Sequence, residues 1–159
     1  MKRFKNQMSK YKLIQLTNKA VGAVAAEDFM PLGLITRRVN STTSPCTTFQ
    51  ITSSTSDTIY INEPGYYKIT YSATLIADAA GVLSLSLVAN QNSIYTVSET
   101  AAAAGDAVDL TLVYVVRVCP NSCSAPYNCP TSIQLQLGDV AITDTPESSV
   151  TNLVIERVY

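Results

Sequence analysis

Residues 66–76 read YYKITYSATLI, a stretch in which apolar and polar side chains alternate one by one. Successive side chains of a β-strand point to opposite faces of its sheet, so this alternation predicts a strand with one buried face. The apolar face would carry Tyr67, Ile69, Tyr71, Ala73 and Leu75.

The same period of two recurs further along the chain, at residues 83–87 and 133–137. Turn-forming residues such as Glu63-Pro64-Gly65 separate the apolar runs, and helical periodicity is almost absent. The sequence therefore predicts an all-β fold, an antiparallel jelly-roll sandwich. The predicted strands span residues 33–39, 46–51, 57–61, 65–76, 81–89, 92–98, 107–118, 131–138 and 150–158.

The predicted strand at 107–118 differs from the others because both of its faces are apolar. One face carries alternate residues from Leu110 to Val118, and the other carries Val113 and Val115. A strand that is apolar on both sides must be covered twice. We expect the opposite sheet to cover one face and a neighbouring subunit to cover the other.

The composition argues against an enzyme. The chain has 159 residues and contains no His, which excludes Ser-His-Asp, Cys-His and HExxH sites. Neither a GxGxxG nor a GxxxxGK[ST] phosphate loop is present. No predicted strand places two acids on one face, as a glycosidase would require. We therefore predict no catalytic residues, no cofactor and no metal.

Charge is distributed unevenly along the chain. Residues 1–19 contain six basic residues and no acid, whereas the rest has five basic residues against twelve acids. We predict a basic arm at residues 1–30, outside the fold, and a jelly-roll domain at 31–159. A solvated tail, a docking peptide and a nucleic-acid contact are all compatible with the arm. We favour docking to an acidic surface, through Lys2, Arg3, Lys5, Lys10, Lys12 and Lys19.

The arm does not have the pattern of a targeting segment. Polar residues such as Lys10, Lys12 and Gln15 interrupt any apolar run of the kind a signal peptide needs. No run of 18 apolar residues occurs anywhere in the chain. We expect neither a membrane nor a nucleic acid as a partner.

Three of the four cysteines, Cys119, Cys123 and Cys129, lie in a Pro-rich connection, and Cys46 is distant. Their spacings differ from the CxxC knuckle of zinc sites. A disulfide within the loop and free thiols both remain open.

Residues 59–74, IYINEPGYYKITYSAT, resemble the strand, Pro-Gly-x-Tyr, strand signature of the tumour-necrosis-factor-like (TNF-like) jelly roll, which the globular heads of complement proteins share. The hydrophobic last strand, 152–159, fits the same family. More narrowly, PLGLITRR at 31–38, AGVLSLS at 80–86 and the Cys-bearing hairpin resemble short virion proteins of gut bacteriophages.

This resemblance implies a homotrimer around a threefold axis. The candidates for its interface, which could equally belong to the core, are Tyr67, Tyr71, Val113, Tyr114, Val115 and Tyr159. It also implies a capsid-decoration or head-fibre knob, made in the host bacterial cytoplasm and displayed on the virion surface. The partners would be the major capsid protein or another virion protein, and host surface glycans remain open as contacts of the loops at the far end. A tail or receptor-binding fibre tip and a spore-surface or adhesive trimeric knob are the alternatives.

Overall fold

The computed structural model describes residues 11–39, 48–119, 131–144 and 149–158. These residues form strands, turns and extended segments, and they contain no helix that could cross a membrane. The strands are β1 (Leu13–Asn18), β2 (Leu34–Val39), β3 (Phe49–Gln50), β4 (Ile59–Ile61), β5 (Gly65–Ile76), β6 (Gly81–Ala89), β7 (Asn92–Ala101), β8 (Ala107–Val118), β9 (Thr131–Leu137) and β10 (Val150–Arg157).

The strands form two antiparallel sheets. Sheet I has the order β2-β1-β10-β5-β8, and sheet II has the order β3-β4-β9-β6-β7. Their facing sides enclose the core, in which alternate residues of β5, β6, β9 and β10 are buried. Burying one such Leu or Ile side chain contributes roughly 1.5–3 kcal/mol. The alternation of apolar residues seen in the sequence therefore places the stabilising side chains on the facing sides of the two sheets.

The predicted all-β jelly roll is confirmed, and β5, β6 and β8 have the predicted bounds. The strand predicted at 92–98 continues to Ala101. The strand predicted at 46–51 is Phe49–Gln50, with residues 46 and 47 outside the described part of the chain.

The prediction that residues 1–30 lie outside the fold is wrong for β1. This strand lies inside sheet I, paired with β10 on one side and β2 on the other. Its residues Leu13, Ile14 and Leu16 are buried. The sequence pattern did not predict this strand because it is short and polar residues flank and interrupt its apolar positions.

The two ends of the sandwich carry different connections. At one end, which we call the terminal end, β1 begins, β10 finishes and the β4–β5 and β6–β7 turns lie. Cys119 and Thr131, which flank the Pro-rich connection, are at this end too, since Val118 pairs with Gly65 and Thr131 with Ile61. Lys19 and the β5–β6 and β7–β8 turns lie at the opposite end.

Candidate assembly interface

The side of sheet I that faces away from the core carries two adjacent rows of uncharged side chains. The strand register aligns Gln15, Val154, Thr70 and Val113 in one row across four strands. The adjacent row holds Thr17, Asn152, Ser72 and Thr111. We call these eight residues the outer face of sheet I.

Hydrogen bonds between side chains order part of this outer face. The Gln15 amide Nε2 donates to Asn152 Oδ1 at 2.9 Å, and the Thr17 hydroxyl donates to the same oxygen at 3.4 Å. The Lys68–Glu156 ion pair lies one row nearer the terminal end, at 3.4 Å, and is partly exposed. Such a pair contributes little to stability. The eight residues of the outer face carry no charge, and Lys68, Glu156, Asp109 and Arg117 lie around them on the same side of the sheet.

The edge strand β8 has the two apolar faces that the sequence predicts. Leu110 and Leu112 are buried in the core, whereas Val113 and Val115 are 48% and 47% exposed on the other side. Adjacent exposed apolar side chains on an edge strand are typical of a contact surface. Within a single chain, no other described residue covers the Val113 and Val115 side chains completely.

Beside these valines, two tyrosines bridge the edges of the two sheets. Tyr95 on β7 and Tyr114 on β8 stack with ring centroids 5.4 Å apart and planes inclined by 27°. Tyr95 is 42% exposed, and Tyr114 is half-buried against the core. We call this pair the tyrosine edge. Exposed aromatic side chains are enriched in protein interfaces.

Tyr67 and Tyr71, for which the sequence left core and interface open, belong to the core and not to an interface. Each is fully buried between the sheets. Tyr67 meets the ring of Phe49 edge-on at 5.8 Å and donates a hydrogen bond from its hydroxyl to the Glu63 carbonyl at 2.8 Å. Burial raises the pKa of both phenols, so both stay neutral. Tyr159 lies outside the described residues.

Lys12, predicted to dock, is instead buried and forms an ion pair with Glu63. The other Glu63 oxygen accepts a hydrogen bond from Arg157 Nη1 at 2.9 Å, and Thr48 donates to Glu63 at 2.8 Å. Burial by itself raises the pKa of Glu63. The hydrogen bonds from Lys12 and Thr48 and the charges of Lys12 and Arg157 outweigh burial and hold the pKa below its usual value.

The two described basic residues of the predicted arm, Lys12 and Lys19, lie far apart. Lys19 is exposed, but it follows the end of β1 at the opposite end of the sandwich from Lys12. At about 3.3 Å per residue, the strand between them spans roughly 20 Å. Lys2, Arg3, Lys5 and Lys10 lie outside the described residues.

The described residues bring no three His, Cys, Asp or Glu side chains together in an arrangement that could hold a metal. Of the cysteines, Cys119 is described; it is exposed and forms no disulfide with another described residue. Cys46, Cys123 and Cys129 lie outside the described residues, so the loop disulfide stays a prediction.

The sequence reasoning missed the Lys12–Glu63–Arg157 cluster. The positions Ile14 and Leu16, which alternate with Gln15, were the available signal that β1 belongs to the sandwich. With β1 in place, Lys12 would have been expected at the end of a buried strand.

No family model and no curated protein sequence matches the chain, whereas solved structures match its fold. A structure of murine APRIL at pH 5.0 has a TM-score of 0.59 at 11% identity, covering 94% of this chain and 100% of that one. Eiger TNF from S. frugiperda has a TM-score of 0.62 at 9% identity, covering 94% and 92%. PRD1 vertex protein P5 has a TM-score of 0.57 at 13% identity, covering 93% and 97%. The chain is therefore similar to these proteins in fold, which confirms the TNF-like jelly roll that residues 59–74 indicate.

Proposed function

We propose that this protein is a structural virion component of a bacteriophage, a homotrimeric knob that decorates the head or forms a short head fibre. It acts by binding, without chemistry. The observation that carries the proposal is the uncharged outer face of sheet I, which includes the exposed Val113 and lies beside the exposed Val115. The likeness of fold to a vertex protein supports the virion location.

In the proposed trimer, the tyrosine edge of one copy packs against the outer face of sheet I of the next. This contact joins two different surfaces, and such a contact forms a closed ring when the rotation between copies closes. A third of a turn per copy gives three equivalent interfaces. Each interface would remove Tyr95 and the β8 valines from water at roughly 25 cal/mol per Å² of apolar surface.

Docking to the particle is assigned to the residues that precede β1. Lys12 is paired with Glu63 inside the domain, and Lys19 lies at the opposite end of the sandwich, so neither is proposed to dock. The proposed docking groups are accordingly Lys2, Arg3, Lys5 and Lys10, which precede the terminal end of the knob. Their partner would be an acidic surface of the major capsid protein or of another virion protein.

The decisive experiment removes residues 1–10 and leaves β1 intact. We expect the shortened protein to sediment as a trimer but to be absent from purified particles after complementation of a phage lacking the full-length protein. Its matched control is Lys19→Ala, which should join particles normally. Incorporation of the shortened protein at the full-length level would overturn the docking assignment, and sedimentation of the full-length protein as a stable monomer would overturn the trimer.

Immunogold labelling of particles identifies the site of attachment. The proposal expects label on the head. Label confined to the tail tip would support the receptor-binding alternative in its place.

A further inference from the structure

A groove of about 390 Å³ lies on the outward side of sheet II, near the terminal end. Its volume falls in the range of small-molecule sites. Strands β4 and β9 and the β6–β7 turn supply its lining, which consists of Thr58, Tyr60, Asn90, Gln91, Ser132 and Gln134.

The turn that forms one wall of the groove is held in an uncommon conformation. Asn90 and Gln91 have φ angles of 49° and 67°, as in the two-residue turn that usually carries Asn-Gly. Gln91 occupies the position where glycine would avoid strain. Two hydrogen bonds anchor the turn to β9: the Asn90 N–H donates to the Ser132 carbonyl at 3.1 Å, and the Ser132 N–H donates to Asn90 Oδ1 at 3.0 Å.

The floor of the groove is fixed by strand pairing. Tyr60 lies opposite Ser132 in the β4–β9 ladder, so the phenol ring and the hydroxyl are neighbours on one face. Gln134 follows two residues later on the same face of β9. An aromatic ring, a hydroxyl and amide groups therefore surround the groove on elements that need not rearrange to receive a ligand.

Several polar side chains of the lining are available to a ligand, although the Thr58 hydroxyl donates to Asp57 and Asn90 Oδ1 accepts from the Ser132 N–H. None of the six lining side chains carries a charge at neutral pH. Within the described residues, the side chains of Tyr60, Gln91 and Gln134 have no hydrogen-bond partner. Amides offer donors and acceptors side by side, which matches the paired hydroxyls of a sugar ring, and a tyrosine ring offers an apolar face.

We propose that this groove binds a neutral saccharide, with Gln91 and Gln134 hydrogen-bonding ring hydroxyls and Tyr60 packing against the sugar's C–H face. A phosphate or acidic sugar would find no cation among the lining residues, and an apolar ligand would leave the amides unpaired. The proposed trimer contact uses the outer face of sheet I and the tyrosine edge, and none of the six residues that line the groove belongs to either. Three copies per knob would then raise the avidity for a surface that carries many sugars.

The test uses saturation-transfer NMR on the full chain with methyl glycosides of glucose, galactose, mannose, N-acetylglucosamine and N-acetylgalactosamine, and with sialic acid as a charged comparator. We expect transfer to at least one neutral glycoside, with a dissociation constant in the millimolar range. Gln134→Ala should weaken binding about 5-fold, and Tyr60→Ala about 10-fold. Tyr11→Ala, which removes an exposed tyrosine elsewhere, should bind as the wild type does.

Absence of transfer to all neutral glycosides would overturn the proposal, as would stronger transfer to sialic acid. Wild-type binding by both single variants, Gln134→Ala and Gln91→Ala, would also overturn it. These two variants keep the test valid if Tyr60→Ala fails to fold. The sugar test is independent of the virion assignment, because it needs neither particles nor the residues before β1.

Discussion

Lys12 and Glu63 are 51 residues apart in sequence and form an ion pair in which the lysine side chain is only 5% exposed. The pair connects the start of β1 to the β4–β5 turn, and Arg157 adds the end of β10 to the same carboxylate. Three chain segments at the terminal end are thereby held together.

The Glu63 cluster predicts a loss of stability in acid. A carboxylate with a lowered pKa stabilises the fold fully above its unfolded value of 4.5, and this contribution is lost as the pH falls through the folded pKa. Glu63→Gln should lower the free energy of unfolding by about 2 kcal/mol at pH 7. Urea unfolding at pH 7 and below pH 4 checks this, since the difference between wild type and variant should shrink in acid.

The control for the Glu63 prediction is Lys68→Met, which removes one partner of the more exposed pair with Glu156. It should change the free energy of unfolding by less than about 1 kcal/mol. A Glu63→Gln variant with wild-type stability at pH 7 would contradict the role assigned to the cluster.

A charge on the exposed face of β8 should separate the subunits without unfolding them. Val113→Asp places a carboxylate at the proposed contact, where it would be desolvated without a partner. We expect sedimentation to show a folded monomer. Val82→Asp, at a valine 55% exposed on sheet II, should remain trimeric. If both variants sediment as trimers, the contact lies elsewhere.

Tyr67 should affect stability but not assembly. Tyr67→Phe leaves the Glu63 carbonyl without its 2.8 Å hydrogen bond and should cost about 1 kcal/mol in unfolding free energy. Tyr95→Phe, which alters an exposed hydroxyl, should be neutral within about 0.5 kcal/mol. Denaturation measures both, and a Tyr67→Phe variant as stable as the wild type would contradict the role assigned to this hydrogen bond.

The strand β1 should be essential to the domain. Leu16→Ala removes a fully buried side chain and should cost about 3 kcal/mol. Lys19→Ala, three residues further on and exposed, should leave the melting temperature unchanged. Equal stability of the two variants would mean that the fold does not depend on β1. That result would support the prediction that residues 1–30 lie outside the fold.

Most of the sandwich follows from local pattern. The alternation in 66–76, 83–87 and 133–137 was visible because long strands repeat their period several times, and the double apolar character of β8 was equally local. The location of β1 was not visible, since a six-residue strand with Lys12 before it and Gln15 within it carries few alternations.

By itself, the sequence determined the all-β class, the bounds of β5, β6 and β8 and the two-sided apolar character of β8, because each depends on the spacing of neighbouring side chains. Only the tertiary structure decided that Lys12 meets Glu63, and that Tyr60 and Gln134 share a groove with the β6–β7 turn. Those relationships join residues far apart in the chain, and they depend on strand order and register, which local periodicity does not encode.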